Sequence, residues 1–175
     1  MRPGRVLVKR PAQTITLFLV GSLLPVLQAQ PFPKAAAEQI KAEFTDIHRK
    51  LLEMAKGFPA DKYTYRLKPQ MRSFGEVIVQ VASGLQYAAK TGNVDQRGWE
   101  ELNPKDYPSK AAAVALLEKS MADADAALLH VQSVAFSKTV EPWVAVLEQS
   151  AEDYGLLVAY YWANGLAPPE SRPRH

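Results

Sequence analysis

The sequence predicts an all-α domain, a four-helix bundle with one long crossover connection, and three observations predict it. Four segments place apolar residues three and four positions apart, which gathers each set on one helix face. The segments begin and end on residues that start and stop helices. The one stretch that alternates like a strand, around Tyr63 and Tyr65, has no partner strand to pair with and is expected to be an extended connection. With 175 residues the chain has one domain's worth of core, and a hydrophobic fraction of 47% is ordinary for a globular protein.

In the first helix Ile40, Phe44, Ile47, Leu51 and Met54 form the apolar face, and Lys41, Glu43, Asp46, Arg49, Lys50 and Glu53 fill the other side. Gly57-Phe-Pro59 stops it. In the connection that follows, Tyr63 and Tyr65 are expected to pack on the bundle. Ser73 with Glu76 three residues on makes a capping box for the second helix, whose inward face is Phe74, Val77, Ile78, Val81, Ala82 and Leu85. Thr91-Gly92-Asn93 ends it. Residues 93–108 carry Gly98-Trp99, Asn103-Pro104 and Tyr107-Pro108, which is loop chemistry. A connection this long lets neighbouring helices run parallel. Ser109 caps the third helix, with Val114, Leu117, Met121, Ala124, Leu128 and Val131 inward. Glu141-Pro142 is expected to open the fourth, because proline suits a first helical turn. Its stripe reads Trp143, Leu147, Ser150, Tyr154, Leu157 and Tyr161, and Asn164-Gly165 followed by Pro168-Pro169 is a left-handed stop. Residues 170–175 read as a frayed tail.

The N-terminus has the layout of a secretory signal peptide over residues 1–29. Arg2, Arg5, Lys9 and Arg10 make a basic region without acids, Thr14 to Leu27 is apolar, and Ala29 offers a small residue for cleavage. Leu27, three residues before that point, is bulkier than usual. The apolar run falls short of the ~20 residues of a bilayer span, and a retained membrane anchor is the alternative. Residues 30–35, with Pro31 and Pro33, form a linker, and residues 36–169 form the bundle. Removing residues 1–29 lowers Lys+Arg from 21 to 17 and leaves all 18 acidic residues, so the net charge moves from +3 to −1. The basic balance therefore belongs to the leader, and no nucleic-acid partner is expected. Nor is a membrane contact expected after cleavage. The absence of cysteine excludes disulfides, thiolate nucleophiles, thiolate metal sites and a lipidated cysteine at the cleavage point.

Two motifs carry a resemblance. Gln149-Ser-Ala-Glu-Asp-Tyr-Gly-Leu-Leu-Val-Ala-Tyr-Tyr-Trp-Ala-Asn-Gly-Leu-Ala-Pro-Pro169 is similar to the C-terminal signature of the DinB-like four-helix-bundle family, His-x-x-Glu-His-Tyr-Gly-x-Leu-Val-x-Tyr followed by Asn-Gly and Pro-Pro. Arg72-Ser-Phe-Gly-Glu-Val-Ile-Val-Gln-Val-Ala82 resembles the family's Arg-Ser/Thr-Phe-Gly-x-Leu-x-x-His-Val-Ala segment, and Phe58 to Pro69 resembles its first connection. The likeness spans residues 36–169. It implies a DinB-like bundle and a homodimer, and the signal peptide adds export, to the bacterial periplasm or beyond. Three histidines of these motifs are metal ligands in the family, and here they read Gln80, Gln149 and Asp153.

That substitution set argues against metal chemistry. Imidazole suits Zn, Ni and Fe as a neutral borderline donor, whereas a Gln amide oxygen binds them weakly. Two amides and one carboxylate also compensate only one charge of a divalent ion, less than a calcium or magnesium site recruits. Glu152 is the nearest addition, about 100° round the helix from Asp153. The expected function is non-enzymatic binding of a small molecule or protein partner through a degenerate metal pocket at Gln80, Gln149 and Asp153, with no cofactor. The alternative is a metal-dependent hydrolase or thiol transferase working through Asp153 and its neighbours. A third reading makes the pocket a polar plug, two Gln side chains bonding Asp153. Elsewhere, His48 reads as a packed edge residue, His130 as a residue suited to a helix C-terminus, and His175 as tail. No Ser/His/Asp spacing is visible. Glu100-Glu101 and Asp123/Asp125 read as solvated faces. Trp99, Trp143, Tyr160, Tyr161 and Trp162 read as core and interface, since no basic stripe accompanies them.

Overall fold

The structure is a computed structural model that describes residues 34–90, 100–130 and 133–172, and of these the backbone alone at 129–130 and 133–139. Its described residues form four helices and no strand: α1 (Lys34–Gly57), α2 (Phe74–Lys90), α3 (Lys110–His130) and α4 (Ser133–Ala163). The signal sequence at 1–29, the stop at 91–93, Trp99, Val131 and His175 lie outside the described residues.

Helix directions follow from which residues meet. Phe44 packs edge-on against Trp143, His48 bonds Ser150, and the Tyr161 hydroxyl reaches the Met54 carbonyl, so α1 and α4 run parallel. Phe74 meets Tyr160 while Gln80 shares a cleft with Gln149, so α2 runs antiparallel to α4. Gly75 and Glu76 lie beside Pro104 and Pro108 just ahead of α3, and further along both helices Gln86 bonds Ser120. Helices α2 and α3 therefore run parallel, as a long crossover between them allows. Around the bundle the order is α1, α4, α2, α3.

The local signals act as expected at most helix ends. Ser73 and Glu76 close a reciprocal box, with the Ser73 N–H donating to Glu76 Oε2 at 2.7 Å and the Glu76 N–H to Ser73 Oγ at 3.3 Å. Ser109 Oγ accepts from the Ala112 N–H at 3.2 Å. Gly165 sits at φ +70. The Leu166 N–H bonds the Tyr161 carbonyl and the Gly165 N–H that of Trp162, a Schellman stop that returns Leu166 to the core. Distant side chains cap the last turn of α1. The Tyr161 and Tyr63 hydroxyls donate to the Met54 and Ala55 carbonyls, and Lys110 Nζ to those of Lys56 and Phe58.

The core is richest in aromatics at that end, where Phe58 and Phe74 stack with ring centroids 3.8 Å apart and Tyr63, Tyr160 and Tyr161 surround them. Gly75 allows a close approach there: a Cβ would stand 3.1 Å from the Tyr63 ring and 3.2 Å from the Tyr63 carbonyl oxygen that its own N–H bonds. Tyr65 is only partly covered, edge-on to Tyr160. The crossover is pinned by Ser83, whose hydroxyl accepts from the Leu102 N–H and donates to the Val79 carbonyl.

Four expectations need correction. Helix α1 starts at Lys34, inside the expected linker, because Ala35, Ala36 and Ala37 are strong helix formers and Ala37 buries. Helix α4 starts at Ser133 rather than at Glu141, and Pro142 lies within it. Proline at a first turn and proline inside a helix look alike in sequence. Inside a helix the missing N–H costs ~3 kcal/mol, and α4 carries that cost at Pro142. That face is also turned from the expected stripe: Trp143, Val146, Ser150, Asp153, Leu157, Tyr160 and Tyr161 are buried, while Leu147 and Tyr154 are half-buried. Residues 170–172, expected as frayed tail, continue a 3-10 turn over Pro169–Ser171 that packs on α1, with Glu170 Oε1 3.2 Å from Arg49.

Candidate functional site

The rotation of α4 places a carboxylate on a buried seam. Trp143, Val146, Ser150, Asp153 and Leu157 follow one another at spacings of three and four, so Asp153 occupies a core position and is only 4% exposed. Gln149, one turn earlier, emerges beside it. Because α2 runs antiparallel alongside, Gln80 comes level with both. The segment before α2 supplies the remaining wall. Gln70, Met71, Arg72, Gln80, Gln149, Glu152, Asp153 and Leu156 together line one cleft of about 340 Å³. The three residues singled out in the sequence are thus brought together, on two helices, in one place.

The electrostatics of the cleft centre on Asp153. Burial disfavours its ionised form and pushes its carboxyl up to about 6. A hydrogen bond from Gln149 and the positive charge of Arg72 pull the other way, and Glu152 adds to the upward push. Only part of the carboxylate is satisfied: Asp153 Oδ2 is buried without a hydrogen-bond partner. Buried polar atoms are rarely left so, since each unmade bond costs ~1–3 kcal/mol. The plug reading, in which two amides satisfy Asp153, is therefore incomplete in its geometry. Arg72 faces outward, its guanidinium 2.7 Å from Glu101 of the crossover, and its carbonyl accepts the Tyr160 hydroxyl. Arg66 pairs with Glu76 at 2.5 Å and fixes the Met71 carbonyl, so the wall segment is held at both ends.

These donors do not fit a transition metal. The cleft offers amide oxygens and two carboxylates, of which Glu152 is exposed, and no imidazole. Among the described residues no three His, Cys, Asp or Glu side chains are grouped to hold a metal ion.

One other polar cluster has the parts of a nucleophile and base. His48 Nδ1 donates to the Phe44 carbonyl at 2.6 Å, and Nε2 accepts from Ser150 Oγ at 2.9 Å. Both residues are 2% exposed, so a substrate does not reach the hydroxyl. Burial pushes the His48 imidazole down to about 4, which keeps it neutral. The pair is a buried fastener between α1 and α4, and His48 lies deeper than the edge position expected of it.

The other candidates are dispersed. Glu101 is bound to Arg72, and Asp123 to Lys119 at 2.5 Å. Trp143, Tyr160 and Tyr161 belong to the core, whereas Trp162 is 58% exposed. Sequence reasoning missed Gln70, Met71, Arg72 and Leu156 as cleft residues. The first three sit on an irregular connection with no periodicity, and only the antiparallel course of α2 and α4 brings Leu156 to them. Compared with known proteins, the sequence matches no family model and no curated protein.

Proposed function

We propose that this chain is an exported, DinB-like four-helix bundle that acts as a binding protein, taking a small polar molecule in the cleft at Gln80, Gln149 and Asp153. One observation carries the reading: Asp153, which lines the cleft, has a buried Oδ2 without a hydrogen-bond partner. A bundle needs no acid at a core position, and leucine there would pack without an electrostatic cost. A buried, half-satisfied carboxylate beside an accessible cleft suits a ligand that donates hydrogen bonds. Enzymatic metal chemistry is the weaker reading, because the side chains present are poor ligands for the metals that perform it.

A thermal-shift screen of polar small molecules on the wild type and on Asp153→Asn tests it. At least one compound is expected to stabilise the wild type and leave the variant unmoved. Compounds that stabilise both equally would overturn the assignment of the site. Elemental analysis of purified protein showing about one Zn, Ni or Fe per chain would favour the metal reading instead.

The DinB likeness has its own test. Substituting Gln80→His, Gln149→His and Asp153→His together is expected to create a zinc site, because the cleft already sets the three positions against one another. Failure to bind zinc would count against the positional correspondence. Export is checked by intact mass: protein recovered from the periplasm should lack residues before about Gln30. A full-length mass in the membrane fraction would favour the anchor.

A further inference from the structure

The cleft's donors and acceptors narrow the chemistry of what it holds, given the reading of it as a ligand site. Its buried charge is a single carboxylate, Asp153, with one oxygen satisfied through Gln149 and the other free. The side chains at hand beside it are the amides of Gln80 and Gln149, whose oxygens accept when the amide is turned. The one cation of the cleft, Arg72, is already engaged with Glu101. Glu152 at the exposed rim adds a second negative charge, and Leu156 and Met71 add apolar wall. We propose that the cleft binds the primary ammonium group of a small aliphatic amine, its –NH₃⁺ on Asp153 and its methylene stem along Leu156 and Met71.

Each competing class meets a specific obstacle. An anionic ligand faces two carboxylates, and the only arginine is committed elsewhere. A guanidinium recognises a carboxylate best as a two-pronged fork, which needs both oxygens, and Gln149 holds one side of Asp153. A divalent cation asks for several charged oxygens at fixed geometry and would rest on one buried carboxylate and neutral amides. An ammonium is a compact single charge with three rotatable donors. One donor completes Asp153, and two remain for the amide oxygens of Gln80 and Gln149. Oδ2 is recessed, so the ammonium reaches it by a small shift of the side chains that line the cleft.

Isothermal titration and thermal unfolding at pH 8 would test this, with n-butylammonium and 1,4-diaminobutane against 1-butanol, butyrate, n-butylguanidinium, Mg²⁺ and Ca²⁺. The two amines are expected to bind saturably and raise Tm. Asp153→Asn should abolish that response, and Gln80→Leu or Gln149→Leu should weaken it by about tenfold, the worth of one hydrogen bond. The guanidinium should bind more weakly than butylammonium. Butanol and butyrate should give no shift. Equal binding by butanol or butyrate, or binding by Mg²⁺ or Ca²⁺ in place of the amines, would overturn the ammonium assignment and leave the cleft a ligand site of another class. If no probe moves the wild type, and the wider screen finds no compound that distinguishes it from Asp153→Asn, the binding reading fails together with this one.

Discussion

Asp153 holds an anion where the bundle would be more stable without one. Its carboxyl is pushed up to about 6, so near neutral pH it is ionised and the protein bears the desolvation. Asp153→Asn keeps the shape and the contact with Gln149 while removing the charge, and it should stabilise the fold by about 1–3 kcal/mol at pH 8. Urea unfolding of the two proteins measures it. A less stable variant would mean that a donor or cation holds Oδ2. Gln149→Leu should act in the opposite direction, a loss of about 1–3 kcal/mol, because it strips the donor from a carboxylate that stays buried. At this scale the sequence disclosed the three polar residues through pattern likeness to a motif. It did not disclose Arg72 or Gln70, because a connection has no period from which facing can be read. Nor did it disclose the depth of His48, which depends on Ser150 lying opposite on another helix.

Helices were legible where chemistry marks their ends and illegible where two marks share a residue type. The box at Ser73 and Glu76, the cap at Ser109 and the stop at Gly165 are local hydrogen-bonding events, complete within a few residues. The start of α4 is not marked locally: Pro142 can begin a helix or interrupt one, and the residue itself looks the same in both places. The same helix gives two glycines opposite predicted effects. Gly155 lies mid-helix with open space around its Cα, so Gly155→Ala should stabilise by about 1 kcal/mol through reduced freedom of the unfolded chain. Gly165 has φ +70, a conformation in which a Cβ is strained, so Gly165→Ala should cost about 1–2 kcal/mol. Melting temperatures of the two single variants check the pair. A loss at Gly155 would show that its face is covered in solution.

Across the whole molecule, the direction of the helices and the pH response both depend on contacts between distant segments. The long crossover was visible as loop composition, and it does set α2 and α3 parallel, but the ring order α1, α4, α2, α3 rests on pairs such as Phe44 with Trp143 that no local pattern announces. Two buried titrations then oppose each other across one pH window. Burial lowers His48 from 6.5 to about 4, so the stability it contributes is complete above pH 6.5 and is lost as pH falls towards 4. Burial raises Asp153 from 3.8 to about 6, so its contribution is complete below pH 3.8 and is lost as pH rises towards 6. Each amounts to about 3 kcal/mol at most, with opposite slope, so the two nearly cancel in the wild type. Either substitution alone uncovers the other. Relative to the wild type, Asp153→Asn should gain stability progressively as pH rises from 4 to 6. His48→Gln, which keeps a side-chain donor and acceptor without titrating, should gain relative stability as pH falls from 6.5 to 4. Difference curves from urea unfolding at several pH values remove the background of the other shifted carboxylates, Asp46, Glu76 and Asp125. A flat difference for Asp153→Asn would place that carboxylate in water, and the cleft would then lack the buried charge on which its chemistry depends.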